Sequence, residues 1–163
     1  ASATLGLLAA GIVIYSYAEW KRGQGISIPI ISRITLYASR DRDRGHFVLG
    51  PVTLALGAMI ALMLYPEPAA SIVIYALAFG DGIASLVGKL LGRTKIPASG
   101  GKTIEGSAAC FGAVFLAAFL ILGNFTAAAG IALGAALLEA APTEDLDNLV
   151  LPAGVGLLTI TII

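Results

Sequence analysis

Most of the residues able to do chemistry gather in one stretch, "GDGIASLVGKLLGRTKIPASGGKTIEGS", Gly80 to Ser107. Read as a helix at i+4, Asp81, Ser85, Lys89 and Arg93 form a polar row beside a row of small residues, Gly80, Ala84, Gly88 and Gly92. The small row suits close helix packing in a membrane. The polar row does not, since an aspartate inside a span costs about 2.5–3.5 kcal/mol unless it meets water or a partner. Asp81 is therefore expected to line a polar cavity, with Lys89 and Arg93 leading from it to the surface. A salt bridge from Asp81 that only pins helices is the structural alternative.

The second element is the glycine-rich turn feeding the next helix. Its "GGKT" ends like a phosphate-binding P-loop, but that motif needs glycine where Ile96 stands. The physics survives without the label. Gly100 and Gly101 let backbone N–H groups approach an anion, the helix beginning near Thr103 offers free donors and a positive dipole end, and Lys102 adds a full charge. These residues can form a polyphosphate cradle.

Third, "LLEAAPTEDLDN" packs Glu139, Glu144, Asp145 and Asp147 together without a Lys or Arg, and Glu139 meets the negative end of its own helix. Solvent, basic residues from another loop, or a hard cation such as Mg²⁺ bound with phosphates would relieve such a cluster. Asp147 and Asn148 also cap the final span. In "SRDRDRGHFVLGP", Arg40, Arg42, Arg44 and His46 stand at the entrance of the second span. The arginines suit lipid headgroups, a triphosphate or their own intervening aspartates. A lone interfacial His46 is a weak candidate base.

The elements that must position these residues are membrane helices. Of 163 residues, 58% are hydrophobic and 12% charged, and the mean hydropathy is +0.92, far above the needs of a soluble core. Apolar runs at Ala1–Ala18, Phe47–Tyr65, Ala69–Leu91, Ile104–Leu122, Phe125–Ala141 and Leu149–Ile163 approach the roughly 20 residues that cross a bilayer. The spacing predicts an all-α polytopic bundle of about six transmembrane helices, a single catalytic domain over residues 1–163. The first run has neither a basic n-region nor a cleavage pattern and reads as a true span. Because the chain starts at Ala, an upstream segment is expected to be missing. Cys110, the one cysteine, lies in an apolar run and reads as packing.

All ten Lys and Arg residues fall in the connections after the first and third spans, while "PEPA" and "GNF" on the other side hold none. By the positive-inside rule the basic face is cytoplasmic. Nine of the ten acidic residues lie on or beside it, leaving only Glu67 opposite.

"GDGIASLVGKLLGR", then "GKTIEGSAA", then "LLEAAPTEDLDNLVLP", together with "SRDRDRGHFVLGPVTLALG", resembles the CTP-dependent lipid-alcohol kinases: dolichol kinase, phytol kinase and the fungal CTP-using diacylglycerol kinase. The similarity runs from about Ser32 onward. It implies transfer of the γ-phosphoryl of CTP to the hydroxyl of a membrane lipid alcohol, a polyprenol, a phytol-like isoprenoid or diacylglycerol, with Mg²⁺ or a related ion. The family's Arg-Lys and His pattern in an earlier helix is absent, so either an N-terminal piece is missing or this is a reduced member. CDP-lipid synthases share an aspartate helix and a "KT-x-EG" helix start, but their closing Gly/His-rich segment with an Asp-Arg pair has no counterpart here.

On this resemblance Asp81, Lys102 and Glu105 are the expected catalytic residues, with Glu105 positioning Lys102 or the acceptor hydroxyl. Ser85, Lys89, Arg93, Gly100, Gly101, Lys102, Thr103, Arg40 and Arg44 would bind the nucleotide. Asp81 and Asp147 would hold the metal, supported by Glu139 and Asn148. The expected partners are CTP, the lipid alcohol and the bilayer, with no nucleic acid. The expected location is a prokaryotic cytoplasmic membrane rather than the endoplasmic reticulum, with the active site facing the cytoplasm. The alternatives are a CDP-lipid synthase and an ion-coupled transporter; the almost charge-free external connections speak against the transporter.

Overall fold

A computed structural model of the protein describes residues 2–26, 47–143 and 146–163. Among the described residues six helices follow the apolar runs: α1 (Ser2–Gly23), α2 (Gly50–Leu64), α3 (Ala69–Leu91), α4 (Ile104–Leu122), α5 (Phe125–Ala140) and α6 (Asp147–Ile162). Among the described residues there is no strand, only an isolated bridge between Lys95 and Thr103. The chain is an all-helical membrane bundle. With 22, 23 and 19 residues, α1, α3 and α4 are long and apolar enough to cross a bilayer; α2, α5 and α6, of 15 or 16 residues, are apolar but shorter. At a rise of about 1.5 Å per residue, the difference is between helices near 30 Å long and helices near 24 Å.

The chain divides into two compact units, Ala1–Leu56 and Gly57–Ile163. In the first, Tyr15 and Glu19, one turn apart on α1, hold the backbone of Val48. The Tyr15 hydroxyl donates to its carbonyl at 3.0 Å, and its N–H donates to Glu19 Oε1 at 3.0 Å. Glu19 is buried and also pairs with Arg22. Near the end of α1, Lys21 Nζ lies 5.1 Å from the ring centroid of Trp20, an aromatic and basic pairing typical of a membrane interface.

The second unit has small residues inside and large ones outside. Alanines and a few β-branched residues, Ile72, Val73, Val114, Ile131 and Val155, fill its core, while Leu90, Leu120 and Leu137 face outward. Lipid tails are as apolar as leucine, so membrane helices associate through close packing of small residues rather than by hiding large ones. The expected small row does this. A Cβ on Gly80 would stand 2.9 Å from Val114 Cγ2 and 3.3 Å from Cys110 Sγ, and one on Gly88 would stand 3.1 Å from Thr103 Oγ1. Thus α3 packs along α4, and Cys110 is a buried packing residue.

α4 reciprocates at Gly106, where a Cβ would be 2.8 Å from the Ala84 carbonyl oxygen. Gly106→Ala is expected to destabilise the protein by about 1–3 kcal/mol, because backbone must move to admit the methyl. Gly112 on the same helix has nothing within 4 Å of its would-be Cβ, so Gly112→Ala is expected to be neutral or stabilising by up to about 1 kcal/mol. Melting temperatures in detergent check the pair, and equal effects would mean that the α3–α4 contact is not this close.

α3 is not uniform. Ala69–Tyr75 is α-helical, Ala76–Asp81 forms a π turn, and Gly82–Leu91 returns to α. Such wide turns often occur at functional sites, and this one ends on Asp81. α5 and α6 run antiparallel in close register: a Cβ on Gly134 would meet Leu158 Cδ1 at 2.2 Å, and one on Gly154 would meet Leu138 Cδ1 at 2.4 Å. Pro152 inside α6 lacks the N–H that would serve the Asn148 carbonyl within the helix. Gly57 of α2 approaches that carbonyl so closely that a Cβ would lie 2.0 Å from the oxygen.

Candidate active site

The glycine-rich turn between α3 and α4 is a tight hairpin. Ile96 N–H donates to Lys102 O at 2.9 Å and Ile104 N–H to Thr94 O at 3.0 Å. Inside it, buried Ser99 donates its hydroxyl to Ile96 O at 2.7 Å. The tip turns through the left-handed region at Ala98, Gly100 and Gly101, with φ of 58°, 71° and 97°. Neither Gly100 nor Gly101 has an atom within 4 Å of its would-be Cβ, so the backbone at the tip is open to approach. Thr103 caps α4, its hydroxyl accepting from Gly106 N–H at 3.1 Å.

This hairpin delivers Lys102 to the end of α5. Its Nζ lies 3.8 Å from Glu139 Oε1 and 3.9 Å from Asp147 Oδ2, and it donates to the Glu139 backbone carbonyl. That carbonyl is among the last four of α5, which lack intrahelical donors and carry the negative end of the helix dipole. The three charged side chains are only 17%, 7% and 11% exposed for Lys102, Glu139 and Asp147. One ammonium thus answers the helix terminus, the helix-end carboxylate and the first residue of α6 together. Lys102 thus gives Glu139 and Asp147 basic relief from another loop, one of the three remedies open to the acidic segment.

Ser107, one turn into α4, donates its hydroxyl to Glu139 Oε2 at 2.6 Å. Glu139 is therefore met at both carboxylate oxygens, by Lys102 of the hairpin and by Ser107 of α4. Sequence reasoning missed Ser107. The available signal was its position one turn beyond Thr103, between the Lys102 hairpin and Cys110. Asp81 follows Gly80, whose would-be Cβ lies 3.3 Å from the Sγ of Cys110, three residues beyond Ser107 on α4. Asp147 Oδ1 accepts from Asn148 N–H at 3.0 Å.

The other expected site residues are placed as follows. Along the polar row Asp81 and Ser85 are half-buried, and Lys89 and Arg93 are exposed, a grading from bundle to surface. Glu105 turns to the base of the hairpin, where both its oxygens accept from Thr94 N–H at 3.1 and 3.3 Å. It braces the hairpin against α4. Arg40 and Arg44, with His46, Glu144 and Asp145, lie outside the described residues.

Among the described residues no three His, Cys, Asp or Glu side chains form a ready metal-holding group. Asp81, Glu139, Asp147 and Asn148 nonetheless offer only oxygen donors, the set that suits a hard divalent cation sharing phosphate ligands. The position of the Lys102 ammonium shows where positive charge is favoured. Chemically, the assembly can hold positive charge beside open backbone N–H groups at the edge of an apolar bundle.

No family model and no solved structure matches the chain. Two curated proteins are similar to it. A chloroplastic farnesol kinase of Arabidopsis thaliana is 32% identical over 126 residues, covering 68% of this chain and 41% of that protein. A probable chloroplastic phytol kinase of Triticum aestivum is 28% identical over 132 residues, covering 70% and 44%. The chain spans about two-fifths of the length of these relatives. By sequence it is a distant relative of proteins named as lipid-alcohol kinases.

Proposed function

We propose that the protein is a lipid-alcohol kinase that moves the γ-phosphoryl group of CTP to the hydroxyl of an isoprenoid or related membrane alcohol. The observation that carries this reading is the Lys102 ammonium set between Glu139 and Asp147 beside an open glycine hairpin, in a chain similar to farnesol and phytol kinases. Phosphoryl transfer asks a protein mainly for positioning and charge neutralisation.

In this mechanism Gly100, Gly101 and the start of α4 at Thr103 present N–H groups to the polyphosphate, and Lys102 turns from the carboxylates to the transferring group. Ser85, Lys89 and Arg93 line the approach on α3, with Arg40 and Arg44 assigned to the nucleotide by resemblance alone. Mg²⁺, when bound, would be held by Asp81, Glu139 and Asp147 with Asn148, and would neutralise phosphate charge. The alcohol oxygen forms a bond to the γ-phosphorus, the bond from that phosphorus to the bridging oxygen breaks, and CDP leaves. The hydroxyl proton passes to a carboxylate of the cluster. The lipid enters sideways from the bilayer. The basic connections argue for a site on the cytoplasmic face, which we assign to a prokaryotic cytoplasmic membrane.

Purified protein given Mg²⁺, a lipid alcohol and CTP is expected to form the lipid monophosphate and CDP. With CTP labelled separately at the α and γ positions, the label should reach the lipid only from the γ position. Arrival of the α label with release of pyrophosphate would instead establish a CDP-lipid synthase.

A further inference from the structure

The α4 row that begins at the site continues away from it as an aromatic ladder. Thr103, Ser107, Phe111, Phe115 and Phe119 succeed one another at i+4. The Phe111 and Phe115 rings are stacked at 6.0 Å and 9°, and those of Phe115 and Phe119 at 5.9 Å and 4°. Phe125, at the start of α5, closes the far end edge-on, 5.2 Å from Phe115 and 6.5 Å from Phe119. The ladder is neither core nor ordinary lipid-facing surface. Phe111 and Phe115 are half-buried against the core, and Phe119 is 38% exposed, whereas neighbouring Leu120 is 74% exposed.

We propose that this ladder is the tail site of the lipid alcohol and selects an isoprenoid chain over a straight saturated one. The inference rests on the kinase reading for the identity of the head group. Three observations favour this occupant over bulk lipid. The row is continuous with Ser107, whose hydroxyl touches Glu139, so a chain lying on it carries its hydroxyl to the charged cluster. From Ser107 to Phe119 the helix rises about 18 Å, roughly three to four isoprene units, before Phe125 ends the track. The rings share one orientation and repeat every 6 Å or so, a scale on which methyl branches at every fourth chain carbon can seat between successive rings. A straight chain has no such projections, and its dispersion contacts with the ladder are correspondingly fewer.

The test uses a C15 isoprenoid alcohol bearing a diazirine at its tail end, irradiated with the protein in nanodiscs, followed by peptide mapping. Label is expected between Phe111 and Phe125. It should be displaced by unlabelled isoprenoid alcohol in preference to a straight saturated alcohol of equal length. Phe115→Leu, which keeps bulk and apolarity, should lower the yield roughly fivefold, and Leu120→Ala should leave it unchanged. Label spread over Leu120 and its lipid-facing neighbours, indifferent to Phe115→Leu, would overturn the tail site even if lipid phosphate forms. Concentrated, competable label without phosphorylation of any alcohol would keep the tail site and remove the kinase reading.

Discussion

Lys102→Ala is expected to lower lipid phosphate formation by about a thousandfold or more, the scale on which removal of a preorganised charge-stabilising group acts. The Lys102 ammonium serves Glu139, Asp147 and the carbonyl end of α5, and on the proposed mechanism it turns from them to the transferring phosphoryl group. Its removal also leaves two poorly exposed carboxylates facing each other, and some loss of stability should accompany the loss of rate. The two effects separate in Lys102→Arg. That variant keeps the charge and hence most of the stability, but its planar fork cannot reproduce a point charge on a flexible stem, so its turnover should remain at least tenfold down. Transfer of γ-label from CTP and thermal melting in detergent measure both. Turnover near normal in Lys102→Ala would take this residue out of the chemistry.

The carboxylates carry the second large effect. Asp81→Asn and Asp147→Asn preserve shape and much hydrogen bonding but remove charge. Each is expected to lower turnover by roughly a hundredfold or more and to raise the Mg²⁺ concentration needed for what remains. In Asp147→Asn, Lys102 keeps Glu139 as its partner at 3.8 Å, so melting should change little. If these aspartates only pin helices, neutralising one strands its basic neighbour and lowers stability with no special Mg²⁺ dependence. A Mg²⁺ titration run beside a melting curve decides between them. Strong destabilisation with an unchanged Mg²⁺ requirement would reassign both residues to packing.

The helices were legible in the sequence because hydrophobicity is a local signal. The runs Ala69–Leu91 and Ile104–Leu122 coincide with α3 and α4, and Gly123, at φ 64°, ends α4 where the run breaks. The packing role of the small row was equally legible, since Gly80 and Gly88 can serve close approach without knowledge of the partner. What escaped was non-local. Lys102 and Glu139 are 37 residues apart, and no pattern within either segment announces their pairing. Ser107 is one hydroxyl in an apolar helix until Glu139 is placed beside it. Glu105 reads as a functional acid by composition, yet in this structure a backbone N–H of the facing hairpin strand takes its carboxylate. The shorter α5 and α6 show that an apolar run sets where a helix lies more firmly than whether its length matches a bilayer.

The π turn at Ala76–Asp81 holds one residue more than an α-helical path over the same arc. A wide turn of this kind absorbs an added residue that would otherwise rotate everything after it by about 100°. The direction in which Asp81 points is therefore a matter of residue count as well as residue type. Inserting one further residue within Leu77–Phe79 would exceed what one wide turn absorbs and leave composition and hydropathy nearly unchanged. It would swing Asp81 and the row behind it out of phase with the half of α3 that precedes it. A single-codon gain could thus silence the site while the protein still inserted as a membrane bundle, whereas loss of one residue from the same segment would restore ordinary pitch with Asp81 still in phase.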